Sequence, residues 1–478
     1  MLQQLASGTF WIGVGRYSQY AFQLGVAALL ARLVEPAEFG VVGMVLVYTG
    51  FMTVLSDAGV GGAVVQLRDL DDDAMATAFW MSGGLGAVMA LAGVASAGWV
   101  EAFFRQPGVG EVMRWMSLCA LFMGVAVVPY SRLRREMRFR AVAASDLLGT
   151  VGGGILGVGL AFGGAGVWAL VAQAVGLGAI RAAAVFLLDR WWPSLRWSTK
   201  DAWRILSYGG PVLAFSSINF WARTGDNLMV GRYLGATALG YYSQAYRLMV
   251  LPITLTTAVM NPVLHPVLAA LHKDVGAMRE VYLRAIEFLA VASTLCAVIL
   301  AGAADLIVLV LYGPGWEEAV PVLQVLAVTT IFQPLISTSG SVFMSRNQTR
   351  LLLVIGTINS VAMLGAMAAG LPFGIVGVAS GFLLSYLLLV TPLTAFFMAR
   401  SLGIDAVTGL RVFLRPATFG LLGGIALFAV RVVVPPWEAW VELGLVGGVV
   451  LAVTVPLLVW TYRDTLRELR AARRGESA

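Results

Sequence analysis

RYSQYAFQ (16–23) and SSINFWARTGDN (216–227) decide how this chain folds, because each places polar side chains inside an otherwise apolar stretch. The polar positions follow i, i+3, i+4 and i+7 spacing, so each set lines one face of a helix. Equivalent positions are 200 residues apart without a gap. We name the two faces stripe 1 and stripe 2. Stripe 1 contains Arg16, Gln19, Tyr20 and Gln23, and stripe 2 contains Ser216, Asn219, Arg223, Asp226 and Asn227.

The composition is that of an integral membrane protein. Of the 478 residues, 59% are hydrophobic and 12% are charged, and the mean hydropathy is +0.84. An average soluble domain is about a quarter charged, so the polar surface of this chain is too small for a soluble protein. The net charge of +6 does not indicate nucleic-acid binding, because the basic residues cluster in short loops between apolar runs.

Fourteen apolar stretches are long enough to cross a bilayer, which requires about 20 residues. They predict an all-α polytopic membrane protein with about 14 transmembrane helices. No connection between them is long enough for a separate folded domain. The predicted spans cover residues 10–31, 41–66, 79–100, 112–131, 143–163, 167–188, 208–231, 239–264, 283–303, 320–344, 350–370, 375–398, 412–433 and 439–461.

The basic residues predict the orientation of these spans. Of the 32 Lys and Arg residues, 23 lie in the loops after even-numbered spans or in the C-terminal tail. Five lie in or beside the loops after odd-numbered spans, and four lie within spans. Cytoplasmic loops carry the excess of Lys and Arg. The chain is therefore expected to cross the membrane many times, with both termini in the cytoplasm.

An internal repeat extends beyond the stripes. ALLARLVEPAEFG (28–40) aligns with LMVGRYLGATALG (228–240) at the same offset, which places Gly40 on Gly240. Six spans separate the copies, so they cross the membrane in the same direction and form a parallel repeat. We predict two pseudo-symmetric six-helix lobes around a central cavity, plus a C-terminal helix pair. The predicted parts are an N-lobe (1–188), a cytoplasmic linker (189–207), a C-lobe (208–400), and a helix pair with a basic tail (401–478).

The polar residues within spans are the candidates for function, because ionisable groups at membrane depth are costly and usually face a cavity. Arg223 either forms a structural i, i+3 pair with Asp226 or presents a cation to an anionic substrate. Arg16 either extends to the inner headgroups or faces the cavity. Asp57 and Asp146 are lone carboxylates that either carry a coupling proton or cation or bond between helices.

Several chemistries find no support in the sequence. DLDDD (69–73) is predicted to be a solvated acidic loop rather than a metal-binding motif, since no nucleotide-binding domain surrounds it. The two histidines lack partners at metal-ligand spacing, no phosphate-binding G-x-x-x-x-G-K-[ST] loop is present, and no Ser/His/Asp constellation is evident. We predict no catalytic residue, no metal site and no cofactor.

The order of several motifs resembles the Wzx-like polysaccharide flippases, of colanic-acid and teichuronic-acid exporter type, in the multidrug/oligosaccharidyl-lipid/polysaccharide (MOP) superfamily. The resemblance covers residues 10–400, and no single motif in it is diagnostic. It lies in LARLVEPAEFGVVGM (30–44), SDAGVGGAVVQ (56–66), FW (79–80), EAFFRQPGV (101–109), VVPYSRLRREMRFR (127–140), GGAGVWALV (163–171), DNLMVGRYLGATALGYYSQAYRL (226–248), NPVLHPVLAALHKD (261–274) and VLYGPGWEEAVPVLQVLA (310–327).

The resemblance implies a transporter that moves an undecaprenyl-diphosphate-linked oligosaccharide from the inner to the outer leaflet by alternating access, for polysaccharide biosynthesis. It also implies a location in a bacterial cytoplasmic (inner) membrane, a cationic cavity, coupling to protons or sodium ions, and contacts with other polysaccharide assembly proteins. The alternatives are a drug or metabolite antiporter of the same superfamily, or a membrane polymerase or glycosyltransferase. From the stripes, the cavity candidates are Arg16, Gln19, Gln23, Asn219, Arg223, Asp226 and Asn227.

Overall fold

A computed structural model gives the fold and describes residues 2–67, 69–433 and 438–461. Within these ranges, the structure describes the backbone but not the side chains of residues 2–17, 215, 222, 255–263, 265, 406–407, 409–415, 453, 455 and 457–461. The described residues contain helices and no β-strand. The helices are α1 Leu2–Leu33, α2 Pro36–Asp57, α3 Val60–Gln66, α4 Asp72–Phe104, α5 Val109–Met116, α6 Leu118–Arg135, α7 Phe139–Phe162, α8 Val167–Asp189, α9 Thr199–Leu234, α10 Ala236–Ala270, α11 Val275–Gly302, α12 Ala304–Tyr312, α13 Ala319–Thr329, α14 Gln333–Ser345, α15 Thr349–Gly370, α16 Gly374–Ser385, α17 Thr391–Leu402, α18 Ala406–Val433 and α19 Ala439–Thr461.

Every predicted span falls on a helix or on a pair of consecutive helices, and the all-α membrane fold is confirmed. Among the described residues, eight stretches are long and apolar enough to cross a membrane, or nine if the bent pair α13–α14 forms one span. One of the eight covers 54 residues, 349–402. At 1.5 Å per residue this exceeds the ~30 Å hydrocarbon core more than twice over. The number fourteen stays a prediction.

The predicted span 41–66 is broken rather than continuous. Ala58 (φ +46°) and Gly59 (φ +72°) take left-handed backbone conformations between α2 and α3, a common way for a helix to end. The Asp57 carboxylate accepts a hydrogen bond from the Gly61 N–H at 3.0 Å, which satisfies a donor at the start of α3. The break therefore places a carboxylate beside irregular backbone within a predicted span.

The acidic run at 69–73 begins a helix. Asp71 is the N-cap of α4 and accepts a hydrogen bond from the Ala74 N–H at 2.8 Å. Asp72 and Asp73 occupy the first turn, where negative charge stabilises the helix N-terminus. This structural role explains the run without any metal, although the sequence analysis assigned the whole run to a loop.

The chain divides into two compact units. Unit 1 contains residues 1–243, 311–315 and 371–378, and unit 2 contains 244–310, 316–370 and 379–478. In unit 1, α9 packs against α2, α3 and α4. The apolar core there joins the α2–α3 break with α3, α4, α6 and α9 through Ala58, Val60, Ala63, Val64, Met75, Ala78, Phe79, Val127, Val128 and Ile205. The lobe boundaries at 188 and 208 stay a prediction.

In unit 2, helix α18 packs against α11 and α19. Val291, Leu295 and Phe419 form a small buried cluster between α11 and α18. At the end of α18, Arg431 donates to the Gly302 carbonyl at 3.0 Å and pairs with Asp305 and Glu442. Both apolar burial and charge therefore hold α18 and α19 to the rest of the unit.

Candidate functional site

Stripe 1 is partly engaged in helix packing. Gln19 Nε2 of α1 donates a hydrogen bond to Thr150 Oγ1 of α7 at 3.0 Å. Gln23 is half-buried and forms no hydrogen bond through its side chain within the described residues. The Arg16 side chain lies outside the described residues. Of the predicted members, Gln19 thus has a structural partner, and Gln23 retains its hydrogen-bonding capacity.

Stripe 2 separates into a buried part and an exposed part. Asp226 is 4% exposed. Its carboxylate accepts hydrogen bonds from the Tyr242 hydroxyl of α10 at 3.2 Å and from the Asn227 N–H at 2.7 Å. Asn219 and Arg223 are exposed, and the Asn227 side chain is half-buried. The stripe therefore presents an amide and a guanidinium while it anchors a carboxylate in the protein.

Arg223 does not form the internal i, i+3 ion pair with Asp226 that the sequence left open. The Asp226 carboxylate is instead bound by the Tyr242 hydroxyl and by the backbone N–H of Asn227. Among all residues that the structure describes, Arg223 has no ion-pair partner. The positive charge of Arg223 is therefore not neutralised by the described protein, which leaves it available to an anion.

A cavity of about 190 Å³ connects stripe 2 with the break between α2 and α3. The Asp57 carboxylate and the Thr53 and Ser216 hydroxyl groups supply its polar lining. The residues that surround it are Thr53, Val54, Asp57, Gly59, Met123, Leu213 and Ser216, from α2, the break, α6 and α9. In the sequence, Asp57 is a candidate coupling residue and Ser216 is a member of stripe 2, with no link between them. The packing of α2 on α9 brings both residues to the same cavity.

Asp146 is not the lone carboxylate that the sequence indicated. Arg181 Nε of α8 lies 2.9 Å from Asp146 Oδ1 of α7, and the Tyr130 hydroxyl of α6 donates to Asp146 Oδ2 at 3.0 Å. The Arg181 guanidinium also stacks over the Tyr130 ring, 4.5 Å from its centroid. These three side chains form a neutralised cluster in the membrane-spanning part of unit 1, which we name the Asp146 cluster.

The Asp146 cluster is connected to stripe 1. The Thr150 hydroxyl, which accepts from Gln19, donates to the Asp146 carbonyl oxygen at 2.8 Å. No spacing pattern in the sequence linked Arg181 or Tyr130 with Asp146, because the three residues lie in different predicted spans. Their only signal was that a polar residue occurs in each of three consecutive predicted spans.

Comparison with known proteins identifies the family. The profile described as "Polysaccharide biosynthesis protein" matches residues 29–321, well over half of the chain. The chain belongs to this polysaccharide biosynthesis protein family. The matched region contains Asp57, the Asp146 cluster and all of stripe 2, whereas stripe 1 precedes it. The resemblance drawn from the motifs is thereby confirmed.

Relatives within the polysaccharide biosynthesis family cover most of the chain. The teichuronic acid biosynthesis protein TuaB of Bacillus subtilis (strain 168) is 22% identical over 349 residues, which are 72% of each chain. The succinoglycan biosynthesis transport protein ExoT of Rhizobium meliloti (strain 1021) is 26% identical over 367 residues, 75% of this chain and 73% of the relative. The names of these relatives connect them with polysaccharide synthesis and, for ExoT, with transport.

Two solved structures share the fold. The lipid II flippase MurJ in its inward closed conformation aligns with a TM-score of 0.77 at 14% identity, covering 95% of this chain and 99% of MurJ. An inward-facing MATE multidrug transporter of the MOP superfamily aligns with a TM-score of 0.63 at 16% identity, covering 86% and 98%. This member of the polysaccharide biosynthesis family therefore shares the fold of the MurJ and MATE structures.

Proposed function

We propose that this chain is a flippase that moves an undecaprenyl-diphosphate-linked oligosaccharide from the inner to the outer leaflet of the cytoplasmic membrane by alternating access. Three findings support the proposal: the polysaccharide biosynthesis family, the fold shared with the MurJ and MATE structures, and relatives named for polysaccharide biosynthesis and transport. The observation that carries it is Arg223, an exposed cation on α9 without an ion-pair partner among the described residues.

Moving a diphosphate through the bilayer requires a cation that compensates for its lost hydration, and an unpaired arginine can supply one. A single charge at the bilayer centre costs about 2.5–3.5 kcal/mol even on insertion scales, and a diphosphate carries more than one. The Arg223 guanidinium replaces lost hydration with paired N–H donors that match phosphate geometry. Asn219, Asn227 and Gln23 add amide groups suited to sugar hydroxyls, while the lipid tail remains in the bilayer.

Asp57 is the stronger of the two candidates for ion coupling in this proposal. Its carboxylate lines the cavity beside the Thr53 and Ser216 hydroxyl groups. The Asp146 carboxylate is instead neutralised by Arg181 and Tyr130. A proton or a sodium ion entering the cavity thus meets Asp57, whereas Asp146 serves to hold α6, α7 and α8 together.

The proposed orientation places both termini, and therefore the basic tail, in the cytoplasm. It rests on the distribution of 23 basic residues in even-numbered loops and the tail against five at odd-numbered loops. Proteins that assemble polysaccharide are proposed partners on either face. The loops of this chain are too short to hold a catalytic domain, so those proteins are proposed to synthesise the sugar.

Reconstitution tests the function. Purified protein is placed in liposomes that contain undecaprenyl-diphosphate-linked trisaccharide with a fluorescent label on the sugar, and dithionite is added outside. Flipping is expected to raise the bleached fraction from the outer-leaflet share towards completeness, whereas protein-free liposomes stay at that share. Efflux of a cationic dye without movement of the lipid-linked sugar would reject the proposal in favour of a multidrug antiporter.

A further inference from the structure

Two backbone contacts hold the ends of the broken span formed by α2 and α3. At the start of α2, a Cβ on Gly40 would lie 1.7 Å from the carbonyl oxygen of Ala236, the first residue of α10. In the reciprocal contact, a Cβ on Gly240 would lie 1.9 Å from the Pro36 carbonyl oxygen. Side chains at either glycine are thus excluded. We name these four residues the Gly40–Gly240 crossing.

The Gly40–Gly240 crossing follows the internal repeat. Pro36 and Ala236 are 200 residues apart, as are Gly40 and Gly240. Gly40 contacts Ala236, and Gly240 contacts Pro36, which is the residue equivalent to Ala236 in the other copy of the repeat. Such a reciprocal contact is the pattern of a two-fold symmetric interface. The two copies of the repeat meet here through equivalent backbone atoms.

The second contact joins Gly59, in the break after α2, to Gly209 of α9. A Cβ on Gly59 would lie 2.4 Å from the Gly209 carbonyl oxygen, and a Cβ on Gly209 would lie 2.5 Å from the Ala58 carbonyl oxygen. Small residues permit such close approach between helices in a membrane. Both members of this Gly59–Gly209 contact are buried.

The separation of the two contacts matches the membrane. Gly40 and Gly59 are 19 residues apart, or ~28 Å at 1.5 Å per helical residue, and the hydrocarbon core is ~30 Å thick. One contact thus lies near each face. The cavity residues Thr53 and Asp57 precede Gly59, and Ser216 follows Gly209, so the cavity lies between the contacts along both helices.

We propose that these contacts are the two gates of the transport cycle. The Gly40–Gly240 crossing closes the outer side, and the Gly59–Gly209 contact closes the inner side. The sides follow from the distribution of basic residues, and the inference rests on the proposed flippase function. Neither contact includes a charged side chain. A substrate in the cavity leaves only after one contact opens.

A single reporter cysteine tests this inference. Ser216→Cys is introduced into a chain that also carries Cys119→Ser and Cys296→Ser, and an impermeant maleimide is added to right-side-out or inverted vesicles. Gly40→Ala prevents the outer contact from closing and is expected to raise labelling from outside about fivefold or more. Gly209→Ala is expected to raise labelling from inside by a similar factor.

Two matched controls are available. A Cβ at Gly25 or Gly210 would have nothing within 4 Å, so Gly25→Ala and Gly210→Ala are expected to label like the parent. Parental labelling in a folded Gly40→Ala protein, or the same increase in Gly210→Ala, would overturn the gates. Labelling requires no sugar, so side-specific labelling in a protein that does not flip the trisaccharide would reject the substrate but keep the gates.

A milder variant covers the case in which Gly40→Ala does not fold. A Cβ at Gly43 would lie 3.2 Å from Leu239 Cδ2, and the fully buried Leu239 side chain has little room to move away. Gly43→Ala is therefore expected to increase labelling from outside in the same direction but less strongly. Unchanged labelling of folded Gly43→Ala protein would overturn the outer gate.

Discussion

The buried Asp226 carboxylate accepts a hydrogen bond from the Tyr242 hydroxyl, 3.2 Å away on the next helix. This bond joins α9 to α10 and holds the carboxylate away from Arg223. Because Asp226 is only 4% exposed, water cannot readily replace the tyrosine donor. The bond therefore stabilises the packing of α9 on α10 and leaves the Arg223 charge unpaired.

Tyr242→Phe removes this donor and leaves a buried carboxylate less well satisfied. We expect the free energy of unfolding to fall by about 1–3 kcal/mol, measured by thermal or denaturant unfolding in detergent. Tyr233→Phe is the matched control, because Tyr233 is exposed and its ring, which lies near Arg232, is retained. Equal stability of the two variants would contradict the assigned role of the hydroxyl.

Arg223→Ala removes the unpaired cation, and we expect it to abolish flipping of the lipid-linked trisaccharide while insertion and folding stay normal. Arg223→Lys keeps the charge but loses the planar fork of donors, so partial activity is expected. The liposome bleaching assay measures both variants. Arg134→Ala, at an exposed arginine near the end of α6, is the control. Normal flipping by Arg223→Ala would remove this residue from the site.

Asp57→Asn retains an acceptor for the Gly61 N–H but removes the negative charge from the cavity. We expect transport by this variant to lose its response to an imposed proton or sodium gradient, while the break between α2 and α3 is preserved. Initial flipping rates with and without each gradient provide the measurement. A gradient response equal to that of the unmodified protein would exclude Asp57 as the coupling residue.

The Asp146–Arg181 pair is expected to act in stability. Asp146→Asn, Arg181→Gln and the double variant form a thermodynamic cycle, and contacting residues typically couple by about 0.5–3 kcal/mol. We expect a coupling energy in that range from unfolding measurements, together with a retained gradient response in Asp146→Asn. Zero coupling, or a lost response, would instead assign Asp146 to transport.

The predicted spans show how far a sequence of this kind can be interpreted. Every span falls on one helix or on consecutive helices, because the bilayer permits few alternatives for apolar segments of this length. The break at Ala58–Gly59 was missed, although a glycine just after Asp57 is a typical helix-ending signal. The apolar residues on both sides made the segment resemble one continuous span.

Sequence by itself determined the all-α membrane fold, the repeat and the two polar stripes, because each follows from local hydropathy and helical periodicity. Tertiary structure alone decided the partners: Tyr242 for Asp226, Arg181 for Asp146, Ser216 beside the cavity of Asp57, and Ala236 against Gly40. These partners lie on different helices, so their contacts depend on how the helices pack. The packing of one helix on another cannot be deduced from the spacing of residues along a single helix.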